Sequence, residues 1–266
     1  DALKNDINKQ DEPHKFDKAY FRARSESTAR DFNAHHTAFD DLPVNVLNRV
    51  NVPGHVCSDG SEYFFIVVPA HNKKGQIEKS KISIEFMGSG GYWRSTGCPA
   101  NDVSPKLLNT VVNHFKGSSP SRVASYPVGF IPGSEDHPLH GWTQFYINYC
   151  TSDAHFANVN HTRTCDSNKD AFVRNGCRKG TSFHQTGADN AAFVMNYVQK
   201  YIPNPKTVFV NGGSAGGAVV PYLSPIIAQM FPRTRVKALA DSGLFFLPHS
   251  STAVQFFDRN HWHFPN

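Results

Sequence analysis

The segment that most constrains the fold is a short β-branched run, Thr207–Asn211, that passes directly into a cluster of small residues. The cluster, residues 212–216, fits the pattern G-x-S-x-G around Ser214, and helical sequence follows it. Such a strand-to-helix turn lifts the serine above the sheet, while the flanking glycines let strand and helix approach closely. The context predicts that Ser214 is a nucleophile. The alternative is a glycine-rich turn that binds a phosphate or nothing.

A second glycine cluster, residues 88–91, follows the apolar run Ile82–Met87. In hydrolases with a G-x-S-x-G turn, a loop after an early strand donates one amide to the oxyanion hole. The residue after the nucleophile, here Ala215, donates another. The second cluster does not fit G-x-G-x-x-G, and no capped helix follows it directly, so a dinucleotide-binding loop is disfavoured.

Apolar runs and helical patterns alternate along much of the chain. Apolar residues at helical spacing predict helices over Lys106–Phe115 and Ala191–Ile202, the second of which ends at Pro203. Pro221 and Pro225 predict a kink, or two short helices, after the serine turn. The predicted strands cover residues 63–68, 82–87, 145–149, 207–211 and 236–240.

Strands separated by helices predict an α/β fold of the α/β-hydrolase type, with a mostly parallel sheet and helices on both faces. His71–Gly75 has the composition of a turn and predicts a hairpin between the first two strands, which supplies an antiparallel edge. We interpret residues 1–50 as a polar N-terminal extension. Residues 51–266 are then the N-terminal and nucleophile-bearing part of one domain whose C-terminal strands are missing from this chain.

Charge and hydropathy limit the partners that we expect. The chain has 266 residues, a formal net charge of +5 and a pI near 8.9, which favours acidic partners such as polyanionic glycans. It contains no Lys/Arg block and no nucleic-acid-binding motif, so we expect no nucleic acid partner. It also contains no apolar run of the length that spans a membrane.

Cysteine usage indicates the cellular compartment. The five cysteines form no C-x-x-C pair and lack zinc-finger spacing, which favours disulfides over a metal site. Because five is odd, at least one thiol is free or pairs outside this chain. Asn160-His161-Thr162 is a glycosylation sequon. Both features predict a secreted protein that is glycosylated at Asn160.

Five short motifs lie in register along the chain. They are Val56-Cys57-Ser58-Asp59-Gly60-Ser61, Gly90-Gly91-Tyr92-Trp93, Asn148-Tyr149-Cys150-Thr151-Ser152-Asp153, Gly213-Ser214-Ala215-Gly216-Gly217 and Ala240-Asp241-Ser242-Gly243. Their order resembles that of the pectin acetylesterases and of Notum, the animal carboxylesterase. The similarity spans about Cys57 to Phe246.

The resemblance implies a serine carboxylesterase that removes acetyl groups from pectin or fatty acyl groups from a protein. Ser214 would be the nucleophile, and the oxyanion amides would fall on Gly91, Tyr92 and Ala215. The family usually has Trp at the position of Tyr92. We expect this difference to affect the shape of the acyl pocket. We expect no cofactor and no metal.

Two acidic residues, Asp153 and Asp241, match positions of the family motifs. We expect them to support the serine turn and the neighbouring loops rather than to act in a catalytic triad.

A serine hydroxyl needs a histidine that takes its proton and a carboxylate that orients that histidine. In this fold both residues follow the nucleophile, on loops after later strands. The candidates in the tail come too soon after the last predicted strand, and we expect them to be ordinary surface or interface residues: Asp258, His249, His261 and His263. We therefore expect a C-terminal chain of the same precursor to supply the acid and the histidine. The alternative is an inactive family member that binds glycans or acts as a structural assembly protein.

Overall fold

The computed structural model describes residues 37–57, 60–88, 138–151, 153–157, 159–161 and 183–241. In this part of the chain there are eight strands: β1 (Asn48–Val56), β2 (Glu62–Val68), β3 (Lys81–Phe86), β4 (Thr143–Ile147), β5 (Val159–His161), β6 (Phe183–Gln185), β7 (Thr207–Gly213) and β8 (Arg235–Asp241). Six of them form one sheet in the order β1-β2-β4-β3-β7-β8, and β5 pairs with β6 separately.

The large sheet is mostly parallel. β4, β3, β7 and β8 run in one direction, whereas β2 is antiparallel to both of its neighbours, β1 and β4. Strands covered on both faces consist of continuous apolar residues, and every residue of β4 is buried. The predicted α/β fold is confirmed. The carboxyl ends of the four parallel strands lie at one edge of the sheet, where α/β proteins place their sites.

The predicted hairpin between the first two predicted strands is wrong. These strands are β2 and β3, and β4 lies between them in the sheet. His71–Gly75 contributes only to a local turn, in which the Asn72 N–H donates to the Gln76 carbonyl at 2.7 Å. A tight turn fixes the direction of the chain locally, but the choice of neighbouring strand depends on residues that are distant in sequence.

The antiparallel edge is instead formed by β1, which the sequence pattern does not reveal. Pro53 and Gly54 interrupt its apolar alternation and have the composition of a turn. They lie where the pairing register shifts between Val52 and Val56. An edge strand tolerates such an irregularity, because a missing N–H on its outer side breaks no sheet hydrogen bond.

A short 3-10 helix covers Phe39–Asp41. The two α-helices of the described residues, α1 (Gly187–Tyr201) and α2 (Ala215–Met230), pack on one face of the sheet, and helices on the other face remain a prediction. The stripe predicted over Ala191–Ile202 is the buried side of α1. The predicted helix Lys106–Phe115 lies outside the described residues. The core between sheet and helices includes Phe65, Ile82, Ile84, Phe86, Phe145, Val208, Val210, Phe193, Val198, Val219 and Ile227. Each such side chain contributes about 1.5–3 kcal/mol through burial.

The two prolines after the serine turn do not divide the sequence into two short helices. α2 continues through Pro221 and Pro225 as one element. Both prolines lie on the exposed side of the helix. Water can therefore hydrogen-bond the carbonyls that lose their N–H partners, and this reduces the penalty of proline inside a helix.

Two links tie the chain around β1 to the core. Phe39 is fully buried and stacks on Phe145 with ring centroids 5.9 Å apart. A disulfide joins Cys57, directly after β1, to Cys150, in the loop after β4. The expected use of disulfides is therefore seen in the described part of the chain. The remaining cysteines, Cys98, Cys165 and Cys177, lie outside it.

The sheet also carries a second apolar cluster, and an acidic residue is in register with one of its members. The cluster includes Phe64, Ile66, Val68 and Tyr146. Glu85 on β3 is in register with Tyr146 on β4 and with Asn211 on β7. Among the described residues, neither Oε2 of Glu85 nor the side-chain amide of Asn211 has a hydrogen-bond partner. Burial without such a partner raises the pKa of Glu85 to about 8, so its carboxyl group is largely protonated at neutral pH.

This protonation state predicts how stability depends on pH. Because the pKa of Glu85 is higher in the folded protein than in the unfolded chain, its favourable contribution is complete below about pH 4.5 and is lost as the pH rises to about 8. Gln has the same shape and no charge. We expect the stability of Glu85→Gln relative to the native protein to rise by roughly 2–4 kcal/mol between pH 5 and pH 8. Urea unfolding at both pH values measures this difference.

The matched control is Glu62→Gln, which alters an exposed glutamate at the start of β2. Its stability should stay within about 0.5 kcal/mol of the native value at both pH values. An equal response of the two variants would contradict a buried, protonated Glu85.

Candidate active site

The backbone at Ser214 has an unusual conformation. This residue joins β7 to α2, with φ of 53° and ψ of −120°. A positive φ is uncommon for a residue with a side chain and persists only where the surrounding structure enforces it. The serine is half-buried, and its hydroxyl does not cap the helix that follows. Its side chain therefore remains available at the positive end of the helix dipole.

Glycines at both flanks make this turn possible. A Cβ atom on Gly212 would lie 2.6 Å from the carbonyl carbon of Gly216 and 2.9 Å from the carbonyl oxygen of Phe86. A Cβ atom on Gly216 would overlap the same Phe86 oxygen. β7, the start of α2 and the end of β3 therefore meet at contact distances that a side chain would prevent. The sequence pattern predicts this packing, and the structure shows its cause.

The start of the second glycine cluster lies against the serine turn. A Cβ atom on Gly88 would overlap the Gly213 carbonyl oxygen and lie 3.2 Å from Cβ of Ser214. Gly88 therefore lies beside the serine turn, at the carboxyl edge of the parallel strands. Ala215, the first residue of α2, is buried at the same point. Gly91 and Tyr92, the other two expected oxyanion donors, lie outside the described residues.

Asp241 contributes a main-chain contact to the turn. Its carbonyl oxygen accepts a hydrogen bond of 3.0 Å from the Ser214 N–H. This bond extends the parallel pairing of β7 and β8 by one step beyond Gly213 and Asp241, which are partners in the register. The Ser214 carbonyl accepts from the Ala218 N–H at 3.1 Å. The two bonds hold the serine backbone between a strand and a helix.

Asp153 is fully buried and links its own loop to the start of α1. Its carboxylate accepts hydrogen bonds from the Thr151 hydroxyl at 2.7 Å, from the His155 N–H at 3.0 Å and from the Gly187 N–H at 2.8 Å. Gly187 is the first residue of α1. Burial raises the pKa of Asp153 to about 6, although the three hydrogen bonds oppose the shift. The carboxylate is therefore mostly ionised at neutral pH and complements the positive end of α1.

One buried histidine near the turn does not stand out in the sequence. Nε2 of His155 lies 2.9 Å from the carbonyl oxygen of Met87, the residue before Gly88. The histidine ring packs against the rings of Phe86 and Tyr149. The only sequence signal is its position two residues after Asp153, at the end of one of the motifs.

Within the described part of the chain, no histidine and acid of a triad lie at Ser214. In the ranges that the structure describes, no histidine is hydrogen-bonded to the serine, and His155 is directed to the Met87 carbonyl instead. The tail residues Asp258, His249, His261 and His263 lie outside those ranges. Asn160 of the sequon lies in β5, paired with His184 of β6.

These elements provide two kinds of group that acyl transfer uses. The turn presents a serine hydroxyl, and the start of α2 presents main-chain N–H groups without intrahelical acceptors. Such groups stabilise an oxyanion that forms next to the serine. No helix of the described residues combines the length and the hydropathy that a membrane span requires.

Comparison with known proteins agrees with this geometry. Residues 36–263 match the model of the pectinacetylesterase family. No curated protein matches the chain. Because the family model covers most of the chain, and the fold is the α/β sheet that the resemblance implies, this chain belongs to the pectinacetylesterase family, which consists of carboxylic ester hydrolases.

Proposed function

We propose that this chain carries the nucleophile of a secreted serine acetylesterase that removes acetyl groups from a pectin-type polysaccharide. The observation that carries the proposal is the backbone of Ser214, a non-glycine residue with φ of 53° at a strand-to-helix turn. Strain of this kind persists where the fold enforces it, and it concentrates at active sites. The family match supports the ester-hydrolase class.

In the proposed reaction, Oγ of Ser214 attacks the ester carbonyl carbon while a histidine accepts the hydroxyl proton. The carbonyl oxygen becomes an oxyanion that accepts hydrogen bonds from the amides of Ala215, Gly91 and Tyr92. The C–O bond to the sugar then breaks, and the histidine returns the proton to the sugar oxygen. Water attacks the acyl-serine by the reverse proton path and releases acetate.

The substrate class rests on the family and on charge. The family description names pectin, and a net charge of +5 favours a polyanionic glycan over a neutral one. The resemblance to Notum supports the other substrate, a fatty acylated protein. The buried Cys57–Cys150 disulfide supports secretion, because disulfides persist in oxidising compartments. We also propose that Asn160 is glycosylated.

We further propose that polypeptide following β8 in the same precursor supplies the acid and the histidine of the triad. β8 occupies an edge of the described sheet, and Leu239 near its centre is 51% exposed. Its neighbours Ala238 and Ala240 are exposed as well, although their side chains point to the opposite face of the strand. A parallel strand is normally covered on both faces. Further elements of the same domain would cover it and reach Ser214.

Labelling with a fluorophosphonate tests the nucleophile. We expect the complete gene product to be labelled at Ser214, because the reagent reacts only with an activated serine. Ser214→Ala should abolish the label and lower kcat for acetyl ester hydrolysis by on the order of 10³-fold or more. Ser224→Ala, which alters a half-buried serine of α2, is the matched control and should retain both. Mass spectrometry of the labelled peptide identifies the residue.

The same experiment separates an esterase from an inactive family member. Residues 1–266 alone should remain unlabelled if the histidine and acid lie in the continuing polypeptide. A complete and folded gene product that also remains unlabelled would contradict the esterase. Its function would then be glycan binding or structural assembly.

A series of p-nitrophenyl esters tests the acyl group. For an acetylesterase we expect kcat/KM to be highest with the acetate and to fall at each longer chain, because a short acyl pocket excludes added methylene groups. Acetate release from acetylated pectin should parallel activity on the acetate ester. A maximum at eight or more carbons would favour a fatty acylated protein as the substrate.

A further inference from the structure

The carbonyl group of Met87 has a fixed direction, and a buried imidazole fixes it. Nε2 of His155 lies 2.9 Å from this oxygen. A carbonyl oxygen only accepts hydrogen bonds, so the proton of a neutral imidazole must lie on Nε2. The Met87 N–H donates to the Ile147 carbonyl at 3.1 Å. Both main-chain polar groups of Met87 are therefore held, one by the loop after β4 and one by the end of β4.

The loop that presents the imidazole is itself strained and anchored. Ala154 and His155 have φ values of 50° and 63°, two successive non-glycine residues in the left-handed region. The hydroxyl of Tyr149 accepts from the Ala154 N–H at 3.0 Å, and the Asp153 carboxylate accepts from the His155 N–H at 3.0 Å. An unfavourable conformation that is held by two buried hydrogen bonds indicates that the direction of this side chain is specified.

The imidazole is enclosed by apolar groups. It is 1% exposed, and the rings of Phe86 and Tyr149 lie 5.4 Å and 4.9 Å from it between centroids. This burial lowers the pKa of His155 to about 4. The side chain is therefore a neutral hydrogen-bond donor over the pH range in which esterases work.

The peptide that joins Met87 to Gly88 leads into the glycine cluster beside the nucleophile. A peptide unit is planar, so a fixed Met87 carbonyl also fixes the direction of the Gly88 N–H. Gly88 itself lies against the Gly213 carbonyl and Cβ of Ser214. An error in the orientation of this peptide would therefore displace Gly88 relative to the serine turn.

We propose that His155 is a positioning residue, which fixes the Met87–Gly88 peptide and thereby the start of the loop that supplies oxyanion donors to the reaction at Ser214. The inference rests on the proposed function. It assigns His155 no role in proton transfer. A triad histidine must hydrogen-bond the serine hydroxyl, whereas the donor nitrogen of His155 is directed to a main-chain carbonyl.

Two variants of His155, with side chains of similar length, test its positioning role in the complete gene product. His155→Gln keeps an N–H donor at a similar reach, and His155→Met removes the donor but fills the same space. We expect His155→Met to lower kcat for acetyl ester hydrolysis by about 10- to 100-fold with KM changed less than about threefold, because the oxyanion donors act in the transition state. His155→Gln should retain kcat within about fivefold.

The control variant is His55→Gln, which alters a half-buried histidine that packs on Phe193 of α1. It should leave kcat unchanged even if it lowers the melting temperature. A His155→Met protein with native kcat, or a His155→Gln protein that is no more active than His155→Met, would overturn the inference. If the unsubstituted gene product shows neither esterase activity nor labelling at Ser214, the proposed function fails instead.

A measurement on the native protein tests the geometry without turnover. Nitrogen NMR of the imidazoles should show one histidine with its proton on Nε2 and no titration between pH 5 and pH 8. Its signal should be absent from the spectrum of His155→Gln. A proton on Nδ1 of His155, or titration near pH 6.5, would overturn the inference even if the substituted proteins fail to fold.

Discussion

The site depends on one strained residue that is held between two parallel strands and a helix. Ser214 combines a positive φ with two main-chain hydrogen bonds: its N–H continues the pairing of β7 with β8, and its carbonyl begins the hydrogen bonding of α2. The turn also needs Gly212 and Gly216, since a Cβ atom on either would collide with neighbouring main chain. Strand pairing therefore determines where the hydroxyl lies.

Local sequence was sufficient for the strands that are buried on both faces, but not for their order. β2, β3 and β7 appear as apolar runs because burial of both faces of a strand removes the polar alternation. Their neighbours cannot be inferred in the same way. The turn that begins at His71 is real, yet β4, more than 60 residues further along, pairs with both β2 and β3. β1 was not predicted because Pro53 and Gly54 have the composition of a loop, although an edge strand of a sheet tolerates them.

The residues of the candidate site also differ in whether nearby sequence is enough to predict them. Ser214 and the glycines around it could be predicted because their geometry is imposed by neighbours within a few residues. Asp153 could be singled out only because it lies in a motif. His155 was not predicted, because its role depends on a carbonyl group 68 residues away in the chain. A buried histidine has the same sequence signature whether it fills space or directs a peptide. Only the atom at the far end of its hydrogen bond distinguishes the two.

Two buried carboxyl groups show how the fold determines the charge of an acidic side chain. Glu85 has no partner for Oε2 among the described residues, so burial raises its pKa to about 8. Asp153 is at least as deeply buried, yet its pKa reaches only about 6, because three donors favour the ionised form. One of those donors is the first N–H of α1, and another belongs to His155. The charge of Asp153 is thus stabilised by the same bonds that shape the strained loop. The loop, in turn, directs the imidazole to the carbonyl of the Met87–Gly88 peptide, and Gly88 lies against Ser214. The carboxylate is thus connected to the serine turn through one loop and one peptide.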